Sequence, residues 1–433
     1  MSQNKINIIS LGCSKNLVDT ELLMKQLDAN LFSVECDQEN SDARTVIVNT
    51  CGFIGDAKEE SIDTILQCVE AKNRGEIDNI YVMGCLSERY REDLEKEIPQ
   101  VDKYFGKFDW KSILKELHKE FRPDLINRRK ITTPKHFAYL KISEGCNRNC
   151  SYCAIPIITG RHTSRPMEDI LEEAVSLVDS GVKELLVIAQ DLSSYGFDLY
   201  HESRLAQLVQ KLSEIDGLEW IKLHYAYPTQ FPFDILPLMA NNPKVCKYLD
   251  IALQHSSDKM LKLMRRGIDR NQTIALINRI RQEVPGIALR TTMLVGHPGE
   301  TQDDIEDLKD FVNSMKFDRL GVFPYSNEED TFAANNYDDN ISQEEKEQRR
   351  DEIMELQQEI SREINKQKIG ESLRVVIDRE EGDFYIGRTQ YDSPEVDPEV
   401  MFAKENGILE IGQYYMAEIT DAEDYDLFAI IIK

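Results

Sequence analysis

Between Phe137 and Pro324 six apolar runs alternate with amphipathic ones, a pattern that leaves few folds open. The sequence predicts strands at 138–143, 184–190, 220–225, 248–253, 288–295 and 319–324. It predicts helices near 167–180, 203–215, 231–239, 258–264, 271–284 and 301–315. Six strand–helix units imply a parallel sheet curling into a partial (β/α)6 TIM-like barrel, with its working end at the carboxyl ends of the strands.

The loop after the first of these strands, Lys141-Ile-Ser-Glu-Gly-Cys-Asn-Arg-Asn-Cys-Ser-Tyr-Cys-Ala-Ile-Pro156, sets Cys146, Cys150 and Cys153 in a CxxxCxxC spacing. Three thiolates are one fewer than a closed four-cysteine site needs, and the gaps differ from paired zinc knuckles. Three cysteines on one loop can hold three irons of a cubane and leave the fourth open to a small molecule. A degenerate zinc loop is the competing reading.

Residues 1–122 repeat a different unit three times. Apolar runs at 5–12, 45–50 and 79–84 each end in a cysteine, Cys13, Cys51 and Cys85, and each leads into a helical pattern. In an open parallel sheet the crevice beyond the strand carboxyl ends binds ligands, so three thiols far apart in sequence can converge there on a second open-sited cluster. Three unrelated core cysteines are the alternative. Cys68 lies on an apolar helical face, and Cys36 and Cys246 fall outside any recurring pattern.

Several polar positions follow the later strands and are expected at the same mouth: Gln190 and Asp191, His224 and Tyr225, Gln254 and His255, Arg290, and the turn Gly296-His-Pro-Gly-Glu300. Some of them are candidates for binding an adenosine; a plain turn or a buried polar network explains others equally well.

Five segments result: 1–122, an open parallel α/β domain; 123–136, a basic linker; 137–340, the partial barrel; 341–368, a connecting helix opened by Ser342-Gln-Glu-Glu; and 369–433, short alternating strands of a small antiparallel β-barrel. The chain carries 52 minus 78, or −26, formal charges, and its last 65 residues carry 5 minus 16, or −11. Such a balance argues against binding dominated by nucleic-acid phosphates and favours a basic protein partner. No membrane-length apolar run or signal segment is visible, and nine cysteines fit metal ligation in a reducing, cytoplasmic setting better than disulfides.

The CxxxCxxC loop with Tyr152 before its third cysteine resembles the signature of the radical S-adenosylmethionine (radical SAM) enzymes. Together with Cys13, Cys51 and Cys85 and a TRAM-like tail, the chain resembles the methylthiotransferases over its whole length. Within that family it looks like the members that modify small-ribosomal-subunit protein 12, through Tyr225-Ala-Tyr-Pro228, Leu253-Gln-His-Ser-Ser-Asp-Lys-Met-Leu-Lys-Leu-Met-Arg-Arg-Gly267, Arg290-Thr-Thr and Arg319-Leu-Gly-Val-Phe-Pro-Tyr-Ser326. His297 departs from the pattern, which has an apolar or aromatic residue there.

The resemblance implies two [4Fe-4S] clusters, one on Cys146, Cys150 and Cys153 that cleaves SAM and one on Cys13, Cys51 and Cys85 that supplies sulfur. It implies SAM contacts among Tyr152, Gln190, Gln254, His255, Arg290 and Gly296, an electron donor, and methylthiolation of an aspartate β-carbon. The sister activity on a tRNA adenosine and a non-enzymatic iron–sulfur ribosome-assembly factor are the rivals.

Overall fold

The computed structural model describes residues 4–432, which contain three large sheets and one two-stranded ribbon. The first has five parallel strands, β1 (Lys5–Ser10), β2 (Ser33–Cys36), β3 (Thr45–Thr50), β4 (Asn79–Gly84) and β5 (Lys103–Tyr104), in the order β2-β1-β3-β4-β5. Helices α1 (Ser14–Ala29), α2 (Gly55–Asn73) and α3 (Cys85–Glu97) follow β1, β3 and β4. β3 and β4 were legible as continuous apolar runs because both faces of a central parallel strand are covered. The edge strands β2 and β5 were not: four and two residues long, they have no such run.

The central sheet follows as β6 (Phe137–Lys141), β9 (Glu184–Ile188), β10 (Trp220–Ala226), β11 (Val245–Ile251), β12 (Ala288–Val295) and β13 (Arg319–Pro324), all parallel, with a two-strand ribbon of β7 (Ser143–Glu144) and β8 (Thr163–Ser164) beside it. Its order, β13-β12-β11-β10-β9-β6, leaves β6 and β13 as open edges.

The N-terminal unit spans that gap. Val18 and Leu22 of α1 pack on Phe137, Tyr139, Leu186 and Ile188 at the β6 side. At the β13 side, Lys58 and Arg89 pair with the buried Glu328 at 2.9 and 2.7 Å. The acidic stretch after β13 is therefore a clamp, with a short helix at Phe332–Asn336. The basic linker is a bolt rather than a loose tether: Arg129, fully buried, pairs with Glu21 of α1 at 2.8 Å and with Glu173 of the barrel at 2.7 Å.

Helix Gln343–Gln367 covers β13, burying Ile353 and Ile360 seven residues apart on one face. Ser342 caps it by accepting from the Glu345 N–H, but the return bond of a capping box is replaced by a pairing of Glu345 with Arg349.

The last sheet is a closed barrel of β14 (Ser372–Glu381), β15 (Phe384–Thr389), β16 (Val400–Ala403), β17 (Tyr414–Ala422) and β18 (Leu427–Ile431). It has five strands and is not wholly antiparallel, since β16 pairs with β18 in parallel. Ile408 and Leu409 form no strand; they follow a 3-10 turn at Lys404–Asn406, and Ile408 is 90% exposed. This barrel caps the amino ends of the central strands. Arg388 reaches Glu184, the first residue of β9, at 2.7 Å, and Tyr414 packs edge-on against Trp220, the first residue of β10. Its segment 392–397 enters the central barrel from below: Ser393 meets His224 at 3.3 Å, and Asp397 accepts from Tyr248 at 2.7 Å and pairs with Arg290 at 3.2 Å.

Candidate functional site

The thiols of each predicted triad lie near enough to feel one another's charge. Cys13 precedes α1, Cys51 follows β3 and Cys85 opens α3, so three strand ends deliver sulfur to one crevice, with Cys13 exposed and the others buried. Gly12 makes room: with φ at +87° it takes a left-handed turn, and a Cβ there would lie 2.7 Å from the Cys51 Cβ. Burial pushes the Cys51 thiol up and the Cys85 thiol to about 12, and each of these thiols feels its neighbours in the triad. The Cys85 Sγ lies 3.4 Å from Asn16 Oδ1.

Lys107, almost fully buried, stands beside Cys51 and Cys85 and joins a charge cluster that ties the two halves together. It pairs with Glu144 at 3.0 Å, and Lys141 pairs with Glu144 at 2.7 Å and with Asp19 of α1 at 2.5 Å. Burial would raise the Glu144 carboxyl, but the two lysines outweigh it and hold it low.

The second triad hangs on the loop between β7 and the short helix Ile155–Thr159. Cys150 is held most closely: Arg266 Nη1 donates to its Sγ at 3.2 Å, and the Tyr227 hydroxyl lies at 3.4 Å. Arg266 also reaches Tyr152 at 3.2 Å and stacks over the Tyr227 ring. The Cys146 Sγ accepts from the Arg148 N–H at 3.4 Å, and Arg148 pairs with Asp191 at 2.7 Å. Burial lifts the Cys146 thiol to about 11 and Cys153 to about 12.

The two triads are neighbours. Cys85 packs directly against Ala154 and Ile158, the residues that follow Cys153. Two adjacent sets of three thiols, each one short of a closed four-ligand zinc site, fit a pair of open-sited iron–sulfur clusters better than a lone zinc.

The polar candidates divide. Gln190 follows β9, donates to Glu144 and leaves Oε1 buried without a partner. Gln254 takes a positive φ of 78° and bridges Met293 through its backbone. His255 accepts from the Ser256 and Ser257 N–H groups through Nδ1, so its proton sits on Nε2, which is buried and unpartnered. Arg290 is not at the mouth. It is the third of eight residues in β12, level with Asp250, and faces the inserted Asp397. His224 is likewise turned toward Ser393 inside the barrel.

The turn after β12 braces the cysteine loop. The Gly296 N–H donates to both Glu300 carboxylate oxygens at 2.8 and 2.7 Å. His297 must donate through Nδ1 to the Pro298 carbonyl, so its Nε2 accepts from the hydroxyl of Ser151, between Cys150 and Tyr152, at 3.1 Å. Its unusual identity thus supports the loop. Tyr152 itself packs with Leu263 and Tyr337 around Met260, Met264 and Leu294.

Sequence reasoning did not single out Lys15, Lys107, Arg148, Tyr227 or Arg266 as site residues. Tyr227 and Arg266 lay within quoted motifs, whereas Lys107 carries no local signal.

Fold and site define a radical SAM protein with an extra cysteine-bearing domain, and three family models match accordingly: the Radical SAM superfamily over residues 140–312, the uncharacterized protein family UPF0004 over 5–106 and the TRAM domain over 369–432. Among solved structures, the cobalamin-binding radical SAM methyltransferase TsrM of Kitasatospora setae superposes with a TM-score of 0.51 at 15% identity, over 74% of this chain and 75% of that one. The cobalamin-dependent radical enzyme OxsB does so at 0.51 and 16%, over 77% of this chain and 55% of that one. These likenesses are of fold.

Sequence relatives are much nearer. Proteins named ribosomal protein uS12 methylthiotransferase RimO are 57% identical in Bacteroides thetaiotaomicron, over 100% of this chain and 99% of that one, and 58% in Porphyromonas gingivalis, over 100% of both. The chain belongs to the uS12 methylthiotransferase family.

Proposed function

We propose that this protein is a radical SAM transferase that methylthiolates the β-carbon of an aspartate in ribosomal protein uS12. The observation that carries the reading is the contact of Cys85 with Ala154 and Ile158, which sets two cysteine triads side by side in a chain so similar to enzymes of that name. Cys146, Cys150 and Cys153 would hold one [4Fe-4S] cluster and Cys13, Cys51 and Cys85 the other. When bound, these clusters and SAM supply a 5′-deoxyadenosyl radical that takes hydrogen from an unactivated C–H bond, and a methylated sulfur to replace it.

The chain's own residues set the conditions. Arg266 brings a buried positive charge and a hydrogen bond to the Cys150 sulfur, and Lys107 brings a buried charge to the other triad, both of which ease the addition of an electron nearby. The α1 helix, closed over the β6 edge, keeps water from the barrel interior. Gln190, with its unpartnered oxygen at the mouth, and Tyr152 and Gly296 are candidates for holding SAM.

The test is a substrate comparison. Reduced enzyme is given uS12 and, separately, unmodified tRNA, and each is weighed for the replacement of one H by CH₃S. A gain on uS12 alone is expected; a gain only on tRNA would favour the adenosine-modifying activity, and no 5′-deoxyadenosine at all a non-enzymatic role. An electron donor is also required.

A further inference from the structure

Lys15 is the second residue of α1, two positions after Cys13, and only 9% of it is exposed. Its ammonium lies 3.1 Å from the centroid of the Tyr225 ring, at the carboxyl end of β10. Among the described residues no carboxylate lies within ion-pair distance of it. That sets it apart from the other buried lysines at this junction, since Lys107 and Lys141 both pair with Glu144. Tyr225 is itself held at a positive φ of 68°, a costly conformation for a bulky residue.

An aromatic face offsets only part of the cost of burying an ammonium, and the rest calls for an anion. We infer that Lys15 is a binding residue for a carboxylate, and that this carboxylate is the side chain of the substrate aspartate. The inference rests on the reading of the chain as a protein-modifying methylthiotransferase and adds its specificity determinant. Position supports it: Lys15 bridges the Cys13 side of the seam and the barrel mouth. In aspartate the β-carbon is bonded directly to the carboxyl carbon, so a grip on the carboxylate presents the β-carbon to both. An adenine ring carries no negative charge and would leave the ammonium unpaired.

The carboxylate of SAM has the same chemistry, so the experiment separates the two sources. Reconstituted holoenzyme is titrated with uS12 carrying Asp or Asn at the modified position, and with SAM, and Kd is measured for wild type, Lys15→Gln and Lys15→Arg. Wild type should prefer Asp by about tenfold or more, as a desolvated charge pair requires. Lys15→Gln should bring the ratio close to one with iron content and SAM affinity unchanged, and Lys15→Arg should keep most of the preference. An Asp-to-Asn ratio near one in wild type, a ratio that survives Lys15→Gln, or a Lys15→Gln defect confined to SAM would each overturn the inference. If wild type binds neither form of uS12 while still cleaving SAM, it is the underlying substrate reading that falls, and the inference with it.

Discussion

The two cysteine triads each present three sulfurs but hold them in opposite ways. Cys146, Cys150 and Cys153 sit on one loop within eight residues, and the surrounding protein only adjusts them, through Arg266, Tyr227 and the His297 brace under Ser151. Cys13, Cys51 and Cys85 come from three separate strand ends and exist as a group only because β1, β3 and β4 lie side by side. A loop triad is portable between folds; a strand-end triad is a property of one sheet. The difference teaches where each is vulnerable, the first to changes around the loop and the second to anything that loosens its domain.

Removing each triad should give the largest effects. With all six cysteines, anaerobic reconstitution is expected to give about eight irons per chain. Changing Cys146, Cys150 and Cys153 to Ala should halve the iron and abolish 5′-deoxyadenosine formation. The same change at Cys13, Cys51 and Cys85 should also halve the iron but leave SAM cleavage intact, and full iron retention there would break the pairing of the two sites.

Arg129→Ala comes next. It leaves Glu21 buried without a cation and Glu173 with Arg165 alone, and should cost about 3–5 kcal/mol in urea unfolding, acting first on the strand-end triad's domain. An unchanged midpoint would show that the linker does not bolt the domains together.

Arg266→Gln and Lys107→Gln should each make its own cluster harder to reduce, by on the order of tens of millivolts, with little change at the other. Potentiometric titration followed by EPR would read this, and equal shifts at both clusters would erase the distinction.

The smallest effect concerns the brace. Burial raises the Glu300 carboxyl from 4.5 to about 7, although the Gly296 N–H and Arg349 pull it down. A carboxyl raised in the folded state contributes stability that is complete below its unfolded value and lost as the pH rises through its folded one. Stability should therefore fall between about pH 4.5 and 7 on this account, and Glu300→Gln should flatten that slope in thermal melts.

Much of this was legible in the sequence, and for a physical reason. Central parallel strands are buried on both faces, so β3, β4, β12 and β13 stand out as runs with the bounds observed. A three-cysteine loop declares its chemistry by spacing alone. The short edges β2 and β5 bury too little to leave such a mark. The acidity of the last barrel was legible too, but its direction was not. Asp378, Asp392 and Asp397 turn inward to His136, Arg319 and Arg290, so part of that charge fastens the barrel to its neighbour instead of facing a partner.

By itself, then, the sequence determined that three sulfurs follow strand ends and three share one loop, because strand ends and loop spacing are local, periodic properties of the chain. Only the tertiary structure decided that Cys85 lies against the loop of Cys153, that Lys107 and Arg266 stand beside the thiols, and that Lys15 is buried without a counter-ion. Those contacts join residues tens to more than a hundred positions apart, and no local pattern records where the packing of one domain across the open side of another will bring them together.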